Sequence, residues 1–282
     1  MRRVDDLITQ ARRESDNEDV SSTQGISSNE FVQYMNDAQD RLQSLISAEY
    51  PRIFANETTF STVASQENYT LSDRVFLNNR LLSVEYTDTG NARDYVNLDQ
   101  RTLKNRYHGN DGTPSYYIRR GTEILLQPIP EKSRATVRVN YERTLDDLDI
   151  RRGIISSVTG AGTSGSPLTQ ITLDTSGSPT PDSDLSSVGA GSYVCVCDKD
   201  GAVQAYNIPV TAYDSGTGVL TVTSFVLATG DTLPAANDYV TLNKYTTTHS
   251  DLPDICERYL LSYCVWKILR RDDAEEAKNQ QR

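Results

Sequence analysis

Hydrophobic and polar positions change period along the chain. Val4, Leu7, Ile8 and Ala11 follow i, i+3, i+4, i+7, the spacing of one helical face. Ser15 to Gly25 is acidic and poor in apolar residues, so it reads as a loop. A second helix is expected from Ser27, where Ser27 and Glu30 have capping-box spacing. Phe31, Met35, Ala38, Leu42, Leu45 and Ile46 then keep one apolar stripe until Pro51 ends it. From Thr59 the period shortens to two. Thr59–Val63, Asn68–Leu71, Leu81–Tyr86 and Asp94–Leu98 read as short strands, and Asp99 to Tyr107 as a short helix with Asp99 as its N-cap.

The clearest pattern lies between Thr113 and Leu145. It reads as three antiparallel strands: Tyr116–Arg119, a turn at Arg120-Gly121, Thr122–Gln127, and a third after Pro128 and Pro130. In the third, Ala135, Val137, Val139 and Tyr141 fall on one face and Thr136, Arg138, Asn140 and Glu142 on the other. Beyond a charged joint at Leu145–Arg152, composition shifts to Ser, Thr, Gly and Val. Six strands are expected there: Ile154–Val158, Leu168–Leu173, Ser192–Cys197, Val203–Tyr213, Val219–Thr223 and Asp238–Leu242. That is the pattern of a small barrel or sandwich, inserted at the joint.

A last helix opens after Asp251 and Pro253. Ile255, Tyr259, Tyr263, Trp266 and Leu269 form one stripe; Leu260, Cys264 and Ile268 form a second. The first stripe is expected to pack on the Phe31–Ile46 helix, making Phe31, Met35, Leu42, Leu45, Tyr259, Tyr263, Trp266 and Leu269 the helical core. From Arg270 the stripe ends, and the tail has no intramolecular reason to be ordered. The fold class is therefore α+β, with a discontinuous core over residues 1–150 and 248–282 and an inserted all-β domain over 151–247.

Charge and chemistry narrow the function. The net charge of −11 argues against wrapping nucleic acid, which needs clustered cations. No apolar run approaches a membrane span and MRRVDDLITQ has no signal-peptide core, so no membrane is expected. Four cysteines in 282 residues are too few for a disulfide framework, and Cys195, Cys197, Cys256 and Cys264 lack zinc-site spacing, so they read as buried thiols. Gly160 to Gly165 matches GxGxxG, but Ser166-Pro167 and another strand follow where a helix must start, so it reads as a hairpin tip. His108 and His249 have no nameable catalytic partner. The pairs Asp146-Asp147 and Asp198/Asp200 lack the other ligands of a calcium loop. No enzyme, cofactor or metal is expected. Tyrosine is enriched, 16 against 5 Phe, which suits either wet subunit interfaces or plain strand formation.

The run Tyr116-Tyr117-Ile118, Gly121, Ile124-Leu125-Leu126, Pro128-Ile129-Pro130 and Tyr141-Glu142-Arg143 resembles the head-to-tail adaptor (connector) proteins of short-tailed, podovirus-like phages. So do Glu49–Phe54 entering the β region and the Leu252-Pro253 helix ending in Asp273-Ala274-Glu275. The resemblance implies a structural virion protein, made in the host cytoplasm and placed in the neck. It implies a ring of twelve subunits between the portal and the tail nozzle or fibre proteins, with DNA passing through without sequence-specific binding. It implies portal contact at Arg270, Arg271, Asp272, Asp273, Glu275, Glu276 and Lys278. A different class of reading is a tail adhesin binding glycans through Tyr193, Tyr206, Tyr213 and Tyr239 on one β face.

Overall fold

The computed structural model describes residues 2–15, 26–50, 52–71, 81–89, 91, 93–102, 110–177, 179–228 and 230–280, the last nine as backbone only. The architecture is α+β, with a closed barrel. Helix α1 (Val4–Glu14) has acidic residues in its first turn and Arg12 and Arg13 in its last, as the helix dipole favours. Val4, Leu7, Ile8 and Ala11 are all buried, so the predicted stripe is the packed face. In α2 (Ser28–Glu49), Ser27 caps through its hydroxyl, which accepts from the Glu30 amide at 3.2 Å. The Glu30 carboxylate does not complete the box by itself: it accepts from Tyr34 and Arg271.

Residues 44–144 form one compact unit. Its first sheet has the order β1 (Ala55–Ser61), β10 (Thr136–Glu142), β3 (Leu81–Thr87), β4 (Val96–Asn97). Its second has β2 (Asn68–Thr70), β8 (Glu123–Gln127), β7 (Tyr116–Arg120), β5 (Asp99–Arg101), and β6 (Asp111–Gly112) pairs with β9 (Ile129–Pro130). Val84, Tyr86, Ile124, Leu126, Val137 and Val139 supply much of the core between them. On the wet face Arg138 lies opposite Glu85 and donates to it at 2.7 Å from Nε. Two expectations are corrected. The third strand of the 113–145 run leaves its hairpin: β7 and β8 pair with each other, while β10 inserts between β1 and β3. Pro128 and Pro130 break the meander, so the chain is free to change sheets. Asp99 caps no helix there: Asp99–Arg101 is a strand parallel to β7, because the exposed edge at Tyr116–Ile118 pairs it. Residues 103–107 lie outside the described residues.

Residues 1–43 and 145–282 form the other unit. Strand β11 (Asp147–Leu148) leads into the barrel and β18 (Thr246–Thr247) leads out, and the two pair in parallel. Between them run β12 (Gly153–Thr159), β13 (Leu168–Leu173), β14 (Gly189–Cys197), β15 (Val203–Asp214), β16 (Val219–Phe225) and β17 (Tyr239–Leu242). They close in the order β12-β13-β16-β15-β14-β17, all antiparallel, around Leu168, Ile171, Val194, Ile208, Leu220 and Val240. Closure removes the edges that a sandwich would leave. The GxGxxG run is the β12–β13 hairpin tip. Gly160 has φ +103, and a Cβ there would stand 2.0 Å from the Pro167 carbonyl, so glycine serves a tight turn.

After one 3₁₀ turn at Asp254–Cys256, α3 runs from Glu257 to Gln280. The tail after Arg270 is thus helical. Ala, Glu, Lys, Arg and Gln prolong an existing helix readily, and no Gly or Pro interrupts them.

Candidate interaction surfaces

The joint is a polar core. Asn36, Gln39 and Gln43 stand one turn apart on α2, and each turns its amide to the chain at 145–148. Asn36 accepts from the Leu148 amide at 2.7 Å and donates to its carbonyl at 3.0 Å. Gln39 donates to the Asp146 carbonyl at 2.8 Å and accepts from Ser250 at 2.5 Å; Gln43 accepts from the Leu145 amide at 3.3 Å. Gln39 and Gln43 are buried, so these bonds satisfy groups that water cannot reach.

Arg152 is the centre of this joint. It is 5% exposed and donates to Asp149, Asp182, Asp184 and Asn29, the last two bonds being 2.8 and 2.7 Å long. Asp149 also accepts from the Leu242 amide at 2.7 Å, so one cluster ties α2 and the joint to β17. Burial opposes the Arg152 charge, but bonding and charge from Asp149 and Asp182 outweigh it and leave its pKa raised. Nothing in the apolar periodicity marks this network. The Asn36, Gln39, Gln43 spacing, one helical face of amides, was the available signal.

The closing helix presents two different faces. Leu260, Leu261, Tyr263, Cys264 and Ile268 are buried, whereas Ile255, Tyr259, Trp266 and Leu269 are 88%, 36%, 46% and 49% exposed. Of the predicted helical core, Phe31, Met35 and Tyr263 are buried and Leu42 is half-buried, but Leu45, Tyr259, Trp266 and Leu269 face outward. The second stripe, not the first, is the inner one, because α3 packs against α1. Contact with α2 is made through side chains: Arg41 lies over the Tyr263 ring, Lys267 is 3.7 Å from Asp37, and Arg271 is 3.2 Å from Glu30. Arg270 lies over Trp266 at 5.4 Å. The side chains of Asp272, Asp273, Glu275, Glu276 and Lys278 lie outside the described residues.

The barrel tyrosines do not gather on one open face. Tyr206 donates to Asp146 at 2.8 Å, and Arg151 stacks over Tyr239 at 5.2 Å, so both look onto the joint. Tyr193 carries Lys244 over its ring at 4.2 Å, and all four are half-buried. Asp198 caps its own turn, accepting from the amides of Asp200 and Ala202. His249 packs on Gly201, and burial lowers its pKa; His108 lies outside the described residues. Of the four cysteines expected to be buried, Cys195, Cys197 and Cys264 are buried and Cys256 is half-buried; burial pushes Cys264 up to about 12 and Cys197 up to about 11, so both stay protonated thiols.

No curated protein matches this chain. Among protein families, the model described as SU10 adaptor protein matches residues 2–151. The match spans α1, α2, the 44–144 unit and the joint, and stops two residues before β12. With just over half of its length matched, the chain belongs to the SU10 adaptor protein family, a family of phage structural adaptors.

Proposed function

We propose that the protein is the head-to-tail adaptor of its virion, a subunit of a ring of twelve that joins the portal to the tail and continues the DNA channel. The family match over residues 2–151 carries this reading. Exposed Tyr259, Trp266 and Leu269 on α3, with Ile255 in the turn before it, support it, since exposed large apolar side chains suit burial against other subunits. The charge of −11 suits a channel in which passing DNA must not stick. Heterologous ring contacts close only at the right rotation, so the isolated chain is expected to be monomeric and to form rings on the portal. Cryo-electron microscopy of the particle tests the reading: density for this chain between portal and tail supports it, and density elsewhere refutes it.

Within that ring, the end of α3 is the portal contact, through Arg270, Arg271, Asp272, Asp273, Glu275, Glu276 and Lys278. Contacts of mixed charge would make docking register-specific and salt-sensitive. Truncation after Arg271 keeps the Arg271–Glu30 pair, so the fold should survive while portal binding weakens. Undiminished binding by a folded truncated chain would move the contact elsewhere. The β region over residues 151–247 is an inserted domain. Removing 153–245 and bridging the ends with a Gly-Ser linker spares the β11–β18 pair, and the remainder should melt cooperatively. An aggregated product would refute the boundary.

A further inference from the structure

One face of α1 from Asp5 to Arg13, Ser28 at the start of α2 and Ile150 of the joint line a cavity of about 390 Å³. Its polar lining is Asp5, Thr9, Arg12, Arg13 and Ser28. Arg12 is 7% exposed, almost as buried as Arg152. The two are bonded very differently. Arg152 meets three carboxylates, whereas Arg12 gives a single 3.3 Å bond from Nη2 to the Ser28 hydroxyl and lies 4.6 Å over the Phe31 ring. Its Nη1 is buried and has no acceptor among the described residues.

Among the described residues, the carboxylates of Asp5 and Glu30 are already engaged. Asp5 accepts from Arg151 at 2.5 Å, and Glu30 from Arg271 at 3.2 Å. Thr9 donates its hydroxyl to the Asp5 carbonyl at 2.9 Å. Arg13 adds a second cation, and the start of α2 at Ser28 adds the positive end of a helix dipole. Among the described residues that line the cavity, Arg12 is the one left with a buried donor and no acceptor. A buried guanidinium without a counter-charge is unfavourable, and burial lowers the Arg12 pKa accordingly. Among the described residues, no carboxylate meets the Arg12 guanidinium in this cavity.

We propose that this cavity is a carboxylate-binding site whose occupant is an aspartate or glutamate side chain of the neighbouring subunit in the ring. The planar guanidinium fork of Arg12 matches a carboxylate. Charge complementarity selects the occupant: the chain has 39 acidic against 28 basic residues, so a second copy offers mainly carboxylates to a basic cavity. A ring contact is heterologous, so this cavity meets a different surface of the next copy and no two-fold partner is needed. The inference rests on the ring assembly proposed above.

The test is Arg12→Met in the full chain, which keeps an apolar stem against Phe31 and removes the charge. With its unpaired ion gone, the isolated variant should melt higher than wild type. Ring formation on the portal should be weaker by about tenfold or more, and most so at low salt. Inorganic phosphate, compared with chloride at equal ionic strength, should raise the Tm of wild type but not of the variant. A lower Tm for Arg12→Met makes Arg12 a plain structural residue and overturns the proposal. A phosphate response with undiminished ring formation makes the cavity a site for free oxyanions, which also overturns it. If wild type forms no ring, the subunit occupant fails together with the ring reading. The phosphate arm then still reports whether the anion site exists.

Discussion

The barrel and the joint beside it are both buried, yet opposite forces hold them. The barrel closes on aliphatic side chains, with Leu168, Ile171, Val194 and Val240 fully out of water. The joint buries Arg152, Asp149, Gln39 and Gln43, and survives because each finds a partner. In the barrel, position along a strand decides burial and many aliphatic residues would serve. In the joint, identity decides, because only a group of the right length and polarity completes the network. Directional bonds fix where the barrel meets α2, whereas apolar packing would let it slide.

Removing one member of each region breaks the comparison most sharply. Arg152→Ala leaves Asp149 buried without its cation and should destabilise by about 3–5 kcal/mol in urea unfolding. The paired replacement Arg152→Met with Asp149→Leu should be milder than Arg152→Ala alone, since it leaves fewer buried charges unmatched. If the double variant proves the worse, polar completion is not what holds the joint. Leu168→Ala opens a cavity in the barrel and should lose about 2–5 kcal/mol, with no comparable rescue from a polar partner. Gln39→Ala frees the Asp146 carbonyl and the Ser250 hydroxyl together and should lose about 1–3 kcal/mol.

The smallest effect concerns pH. Partial desolvation of the carboxylate, and then the charge of Asp40, raises the Asp147 pKa. The folded chain therefore takes up that proton at higher pH than the unfolded chain does. The ion disfavours folding at neutral pH, and the penalty disappears as pH falls through the raised folded value. Asp147 remains solvent-exposed, so Asp147→Asn should stabilise by no more than about 0.5 kcal/mol at neutral pH. That advantage should vanish on acidification. A stability difference independent of pH would mean that Asp147 is not the titrating group.

Sequence alone determined the kinds of element and most of their places. The stripe of α1, the Ser27 cap, the six barrel strands and the inward set of β10 are all local patterns, and local sterics and burial enforce them. The family resemblance was likewise legible in the Pro-Ile-Pro hairpin region, which falls within the matched residues. Tertiary structure decided what periodicity leaves open, namely which neighbour covers a face. The closing helix carries two apolar stripes, and only the approach of α1 made Leu260, Cys264 and Ile268 the inner one, leaving Trp266 and Leu269 outside. The sheet edge at Tyr116–Ile118 turned Asp99 into a strand, and the chain at 145–148 turned a polar face of α2 into a core. A hydrogen bond forms with whatever group arrives opposite it. Neither partner's own sequence neighbourhood records that arrival.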